Sequence, residues 1–176
     1  MSNDFLPHGY EAPQSNVSYM KLQQGDNKLR ILSKPIIGWL DWKDNKPYRF
    51  PMSKKPQPMT DKPVRHFWAM IVFDYADNGV KILELTQATI QKAIQDLAQN
   101  EDWGSPHEYD IKITKKGQDK STEYAVMPSP KKPLAEEIKK AAMAKPINLE
   151  NLFKGADPFD VSSGEQTQLI YEALPF

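Results

Sequence analysis

Apolar and polar positions along the chain alternate in short extended runs, interrupted twice by helical spacing. Tyr19 to Leu22, the polar turn Gln24-Gly25-Asp26-Asn27 and Lys28 to Leu32 read as a β-hairpin. Further strands are expected at Ile36 to Trp42 and Pro47 to Phe50, joined by the turn Lys43-Asp44-Asn45-Lys46. His66 to Tyr75 is the most apolar run. The Asn78-Gly79 pair after it suits a tight type I′ turn and returns the chain along Val80 to Leu85, with Tyr75 opposite Ile82 and Val72 opposite Leu85. Ile90, Ala93, Ile94 and Leu97 then recur at spacings of three and four, which predicts an amphipathic helix over Gln87 to Gln99 with Thr86 as its N-cap. Tyr109 to Lys115 alternates again, turns at Lys116-Gly117-Gln118-Asp119 and pairs with Thr122 to Met127. A short helix fits Leu134 to Lys145.

This order of elements predicts a mainly β fold with some α, an OB-like Greek-key barrel with one interposed helix and a short C-terminal helix. A sheet with helices packed on one side fits the same pattern. Residues 1–17 hold Pro7, Gly9 and Pro13 without apolar periodicity and read as a flexible N-terminal arm, residues 18–145 as one domain, and residues 146–176 as a mobile acidic tail. Pro51 to Pro63 contains four prolines and three lysines. Missing N–H donors and fixed φ angles keep such a stretch out of a central strand or a helix, so it is expected to be a long basic loop.

The chain of 176 residues has no cysteine, which excludes disulfides, a thiolate nucleophile and a Cys-ligated zinc site. His8, His66 and His107 stand apart from one another and are expected in structural or surface roles. No long apolar run and no signal-peptide pattern is present, so a cytoplasmic location without membrane contact is expected. Lys and Arg balance Asp and Glu at 23 each. The charges are nonetheless segregated. Residues 28–66 carry ten Lys and Arg against Asp41, Asp44 and Asp61, and residues 112–145 carry nine against four acids, while residues 67–111 hold two bases and eight acids. Two basic blocks of this kind can converge on one groove.

The chemistry of catalysis finds no anchor. The glycines form neither a P-loop nor a dinucleotide fingerprint, and no serine sits in a nucleophile elbow. The acidic pairs Asp74 with Asp77, Glu101 with Asp102 and Glu108 with Asp110 read as turn and surface residues. No catalytic residue, metal or cofactor is expected. In the first basic block, by contrast, aromatic and basic side chains interleave. Single-strand binding requires flat faces on which bases stack and cations that follow the phosphates. Trp39, Trp42, Tyr48 and Phe50 are the stacking candidates, with core packing as the competing role. Lys34, Lys43, Lys46, Arg49, Lys54, Lys55, Lys62, Arg65, Lys112, Lys115 and Lys116 are the phosphate candidates.

The blocks Asn27 to Leu32, Gly38-Trp39, His66 to Val72, Ile82 to Gln87, Glu101 to Gly104 and Tyr109 to Ile113 resemble the single-stranded DNA-binding proteins of tailed phages. That resemblance implies an OB fold, a basic aromatic-lined groove and a role in phage DNA replication or recombination. Some members carry a cysteine-rich zinc-binding insertion in the region of Pro51 to Pro63; this chain has no cysteine there, and the zinc site does not carry over. The ending Leu174-Pro175-Phe176 resembles the tails through which such proteins recruit replication enzymes, although Glu172 is the sole acid among the last ten residues. A terminal aromatic ring with its carboxylate is a compact docking signal. The alternative class is a protein-interaction adaptor for replication or recombination enzymes with weak nucleic-acid binding. Oligomeric state is not legible.

Overall fold

In the computed structural model, which describes residues 19–161 and 165–170, the chain forms a seven-stranded antiparallel sheet with two helices. The strands are β1 (Gly25–Ile31), β2 (Ile36–Lys43), β3 (Lys46–Pro51), β4 (Arg65–Asp74), β5 (Gly79–Leu85), β6 (Asp110–Lys116) and β7 (Glu123–Pro128). The helices are α1 (Ala88–Gln99) and α2 (Glu136–Ala144), and a 3-10 turn spans Leu149–Lys154.

The sheet runs β3-β2-β4-β1-β6-β7, with β5 on the other edge of β4. β1 and β2 are successive parts of one bent ribbon. Both pair with β4, β1 through Leu29 to Ile31 against Val72 to Asp74, and β2 through Ile36 to Leu40 against Arg65 to Ala69. Ser33 makes the bend. It is fully buried, and its hydroxyl takes the place of a backbone carbonyl by accepting the Ile71 N–H at 2.9 Å. The free Leu32 carbonyl accepts from Ile170 N–H, and Leu169 bridges to Ser33.

Beyond the bend, β2 and β3 form an arm. Its turn uses Asp44 and Asn45 at φ 53° and 61°, left-handed values that short Asx side chains tolerate and that a type I′ turn requires. Gly38 is required where the arm meets the core. A Cβ there would lie 2.2 Å from the Phe50 carbonyl oxygen and 3.1 Å from the rings of Phe67 and Phe153.

Strand alternation gives β4 two apolar faces, each with its own core. Phe67, Ala69, Ile71 and Phe73 look one way and join Leu32, Leu40, Val80 and Ile82 beneath α2 and the 3-10 turn. Met70 and Val72 look the other way and join Leu29, Ile31, Leu83, Leu85, Tyr109, Ile111 and Ile113 beneath Ile90 and Ile94 of α1. The helices therefore cover opposite faces of the sheet, not one.

Four expectations change. Tyr19 to Leu22 does not pair with β1; Tyr19 makes an isolated parallel bridge to Ile82, and Met20 N–H donates to the Ile82 carbonyl at 2.9 Å. The β4–β5 hairpin closes through a longer loop than Asn78-Gly79. Asp74 pairs with Gly79, so Ile71 rather than Tyr75 faces Ile82. Asp74 Oδ1 accepts the Ala76 N–H, and Lys81 Nζ donates to both Asp74 and Asp77, which locks the wider turn. The slip is an even number of residues and leaves every side chain on its expected face. Thr86 does not cap α1, whose first residue is preceded by Gln87 without a side-chain cap bond. The packed core also runs on past Lys145, because Ile147, Leu149, Leu152 and Leu169 are buried in the α2-side core. Residues 1–17 lie outside the described residues.

Candidate nucleic-acid interface

The arm carries the interleaved aromatic and basic residues, and its register sorts them onto two faces. Trp39 lies between Phe50 and His66, Asp41 lies opposite Tyr48, and Ile37 lies opposite Trp68. Alternation puts Trp39, Phe50, His66, Tyr48, Ile37 and Trp68 on one face, in rows about 7 Å apart along the strands. Trp42, opposite Pro47, points to the other face with Leu40 and Arg49. The four stacking candidates are thus divided, three against one.

Tyr48 is 37% exposed and Lys46 Nζ sits 5.5 Å from its ring centre. Trp39 is half-buried. Its indole N–H donates to the Met52 carbonyl at 3.2 Å, its ring tilts against His66 at 5.4 Å, and Lys55 Nζ stands 4.6 Å over it. His66 Nδ1 donates to the Gly38 carbonyl at 2.9 Å. The basic loop after β3 is tied down at Asp41, a buried carboxylate that accepts the Met59 N–H at 2.9 Å. A cation and a flat ring thereby come together in a fixed place, the pairing that a stacked base with its phosphate requires. On the opposite face Trp42, 48% exposed, borders a small pocket of about 240 Å³ with Lys62, Arg65 and Thr86.

The phosphate candidates fare differently. Lys34, Lys43, Lys46, Lys54, Lys55, Lys62 and Arg65 are exposed and have no carboxylate in ion-pair contact among the described residues. Arg49 is spent inside the protein: its Nε donates to Glu84 at 2.7 Å, with only 11% of its side chain exposed. It clips the arm to β5. Lys112 is held by Asp26 at 3.7 Å. Lys115 and Lys116 lie where β6 meets the start of β1, at the far end of the β1–β2 ribbon from the arm. No strand pairing joins the two basic hairpins, so the two basic blocks do not form one patch through β3 and β6.

Beside the aromatic face a groove of about 680 Å³ separates the arm from α1; Lys34, Ile37, His66 and Trp68 form one wall and Gln91, Lys92 and Gln95 the other. Among the described residues no group of three or more His, Asp or Glu is placed to hold a metal ion, and no helix is long and apolar enough to cross a membrane.

The chain is similar to the probable ssDNA-binding protein of Escherichia phage T5. The two are 28% identical, and the match covers 62% of this chain and 54% of the relative, so the chain spans about half the length of that curated protein. No family model and no solved structure matches it. The resemblance to phage single-stranded DNA-binding proteins carried by the blocks from Asn27 to Ile113 is borne out by this relative.

Sequence reasoning passed over His66, Trp68, Gln91, Lys92 and Gln95. For His66 and Trp68 a signal existed: the alternation of β4 puts even-numbered residues on the face that the arm shares. For the α1 residues none did, because an exposed polar helix face looks the same beside a groove as beside bulk water. Leu174, Pro175 and Phe176 lie outside the described residues.

Proposed function

We propose that this protein binds single-stranded DNA without regard to sequence and without chemistry, and protects it during phage-type replication or recombination. The single observation that carries the reading is the face of Trp39, Tyr48 and Phe50 bordered by Lys46 and Lys55, with neither lysine in ion-pair contact with a carboxylate among the described residues. Stacking there is worth about 1–3 kcal/mol per base and tolerates any base, because every base has a flat face.

The fold reading is an OB-type barrel. Without the arm, the sheet order is β5-β4-β1-β6-β7, with α1 between β5 and β6 in the chain. A five-stranded, partly open Greek-key barrel has this plan, and the arm is then an enlarged connection between its first two strands, a place where such barrels bind oligonucleotides. The outer surface of β4 and β5 is closed by α2 and Leu169, which leaves the arm and its groove to the ligand. The terminal Leu174-Pro175-Phe176 is the proposed docking signal for replication enzymes.

The test is fluorescence anisotropy of a labelled oligothymidine of about 30 nucleotides at low and moderate salt, beside the matching duplex. Tight binding to the single strand that weakens with salt, by about 0.7 in log K per log unit of salt for each phosphate contacted, is the expected result. Absence of binding at low salt overturns the reading and leaves the adaptor class.

A further inference from the structure

The groove between the arm and α1 does not end at α1. Its far wall, formed by Ile31, His107 and Ile170, is also the near wall of a second pocket of about 460 Å³. That pocket is lined by Arg30, Lys131, Lys132 and Lys139 with Glu108 as the one acid among its lining residues, and Lys139 is itself paired with Glu136 at 3.2 Å. Behind it lies an unbalanced charge cluster. Asp110 is 1% exposed and is shared by Lys132 at 3.1 Å, Arg30 at 3.5 Å and Lys28 at 3.7 Å, so three cations surround one carboxylate. Tyr75 adds a hydroxyl donor to the same carboxylate at 2.6 Å.

Arg30 also shapes the pocket. Its Nε donates to the His107 carbonyl at 3.0 Å and its Nη2 to the Lys132 carbonyl at 2.8 Å, which holds both segments of the wall in place. The excess positive charge is thus held behind the pocket wall, whose low-dielectric surroundings carry its field to the pocket mouth. Lys131 stands at that mouth, half exposed and 3.4 Å from Glu108.

We propose that a single strand stacked on the aromatic face continues past Lys34, through the groove beside α1, and places a backbone phosphate against Lys131 and Lys132. This rests on the single-strand reading and extends it: the second basic block would join the interface through residues 131–139, not through β6. A phosphate suits the pocket because it would balance the cation excess around Asp110 and can displace Glu108 from Lys131, an exposed pair worth little by itself.

Oligothymidines of about 6 and about 16 nucleotides separate the two stations, since this span covers the site sizes of single OB barrels. Lys131→Ala is expected to match the parent protein on the short strand, to bind the long strand more weakly, and to lower the salt slope on the long strand by about 0.7. Glu108→Gln is expected to do the reverse and tighten the long strand alone. Equal binding by all three proteins at both lengths overturns the proposal, and so does an equal change at both lengths, which is the signature of general charge. If the parent protein binds neither strand, the single-strand reading falls and this path falls with it; if it binds both with no length-dependent effect of Lys131, only the path falls.

Discussion

The arm of β2 and β3 and the hairpin of β6 and β7 are both antiparallel, both basic and both attached to the β1–β2 ribbon, yet they meet water differently. In β6 and β7 most of the large apolar side chains are claimed by the core: Ile111 and Ile113 are fully buried, and Tyr124 and Val126 pack against them beneath α1, while Met127 faces solvent. Lys112 is answered by Asp26, whose Oδ1 also accepts from the Thr114 hydroxyl at 2.8 Å. The arm projects past α1, so among the described residues no helix covers the face of Trp39, Tyr48 and Phe50, and no carboxylate is in ion-pair contact with its lysines. Equal charge along a sequence therefore yields unequal fields. What decides is whether a hairpin has a helix to pack against and an acid to pair with.

The arm keeps its pose through Arg49, and removing that clip is the most severe way to disturb the comparison. Arg49→Ala leaves Glu84 largely buried without its cation, and a stability loss of about 3 kcal/mol is expected, at the low end for breaking a buried pair. Chemical denaturation measures it; a loss under about 1 kcal/mol would mean that the arm does not depend on the clip.

At the other end of the sheet, Asp110 is expected to matter for stability and its pH dependence. Burial works against its ionisation, but the Tyr75 hydroxyl, Lys132 and Arg30 outweigh burial and hold the carboxyl below its ordinary value. A depressed carboxyl stabilises the fold above its unfolded value of about 3.9, and the contribution is lost as pH falls through the folded value. Asp110→Asn should cost about 1.5–3 kcal/mol at neutral pH, the range for hydrogen bonds to charged groups. The gap between variant and parent should narrow below about pH 4, and a gap constant from pH 7 to pH 3 would contradict the assignment.

Trp39→Ala and Tyr48→Ala sharpen the contrast between the hairpins. Each is expected to lower single-strand affinity by about 1–3 kcal/mol, read by the same anisotropy titration. Tyr124→Ala, on β7, should lower the unfolding midpoint instead and leave affinity near that of the parent protein. If Tyr124 and Trp39 behave alike, the arm is not the special hairpin. The smallest effect is ionic. Replacing Lys46, Lys54 and Lys55 together should reduce the salt slope by about 2, whereas Lys112→Ala should leave it unchanged because Lys112 lies on β6, which no strand pairing joins to the arm.

Much of this was legible in the residues alone. Alternation located six of the seven strands within a residue, while β1 starts at Gly25, three residues earlier than expected, because Gly25 to Asn27 pair with β6 instead of forming a turn. Spacings of three and four located α1, and Asp44-Asn45 announced the turn of the arm, because side-chain period and left-handed tolerance are local properties. The interleaving of Trp39, Tyr48 and Phe50 with Lys46, Lys54 and Lys55 is likewise a property of one short segment. Tertiary structure decided the rest. It took Arg49 out of the basic set by bringing β5 beside it and tied Lys112 to Asp26. It also packed Ile147, Leu149, Leu152 and Leu169 against β4 and β5. Each of these depends on a partner distant in sequence, and whether a charge is free or an aromatic is exposed is a property of its neighbours in space, which no local pattern contains.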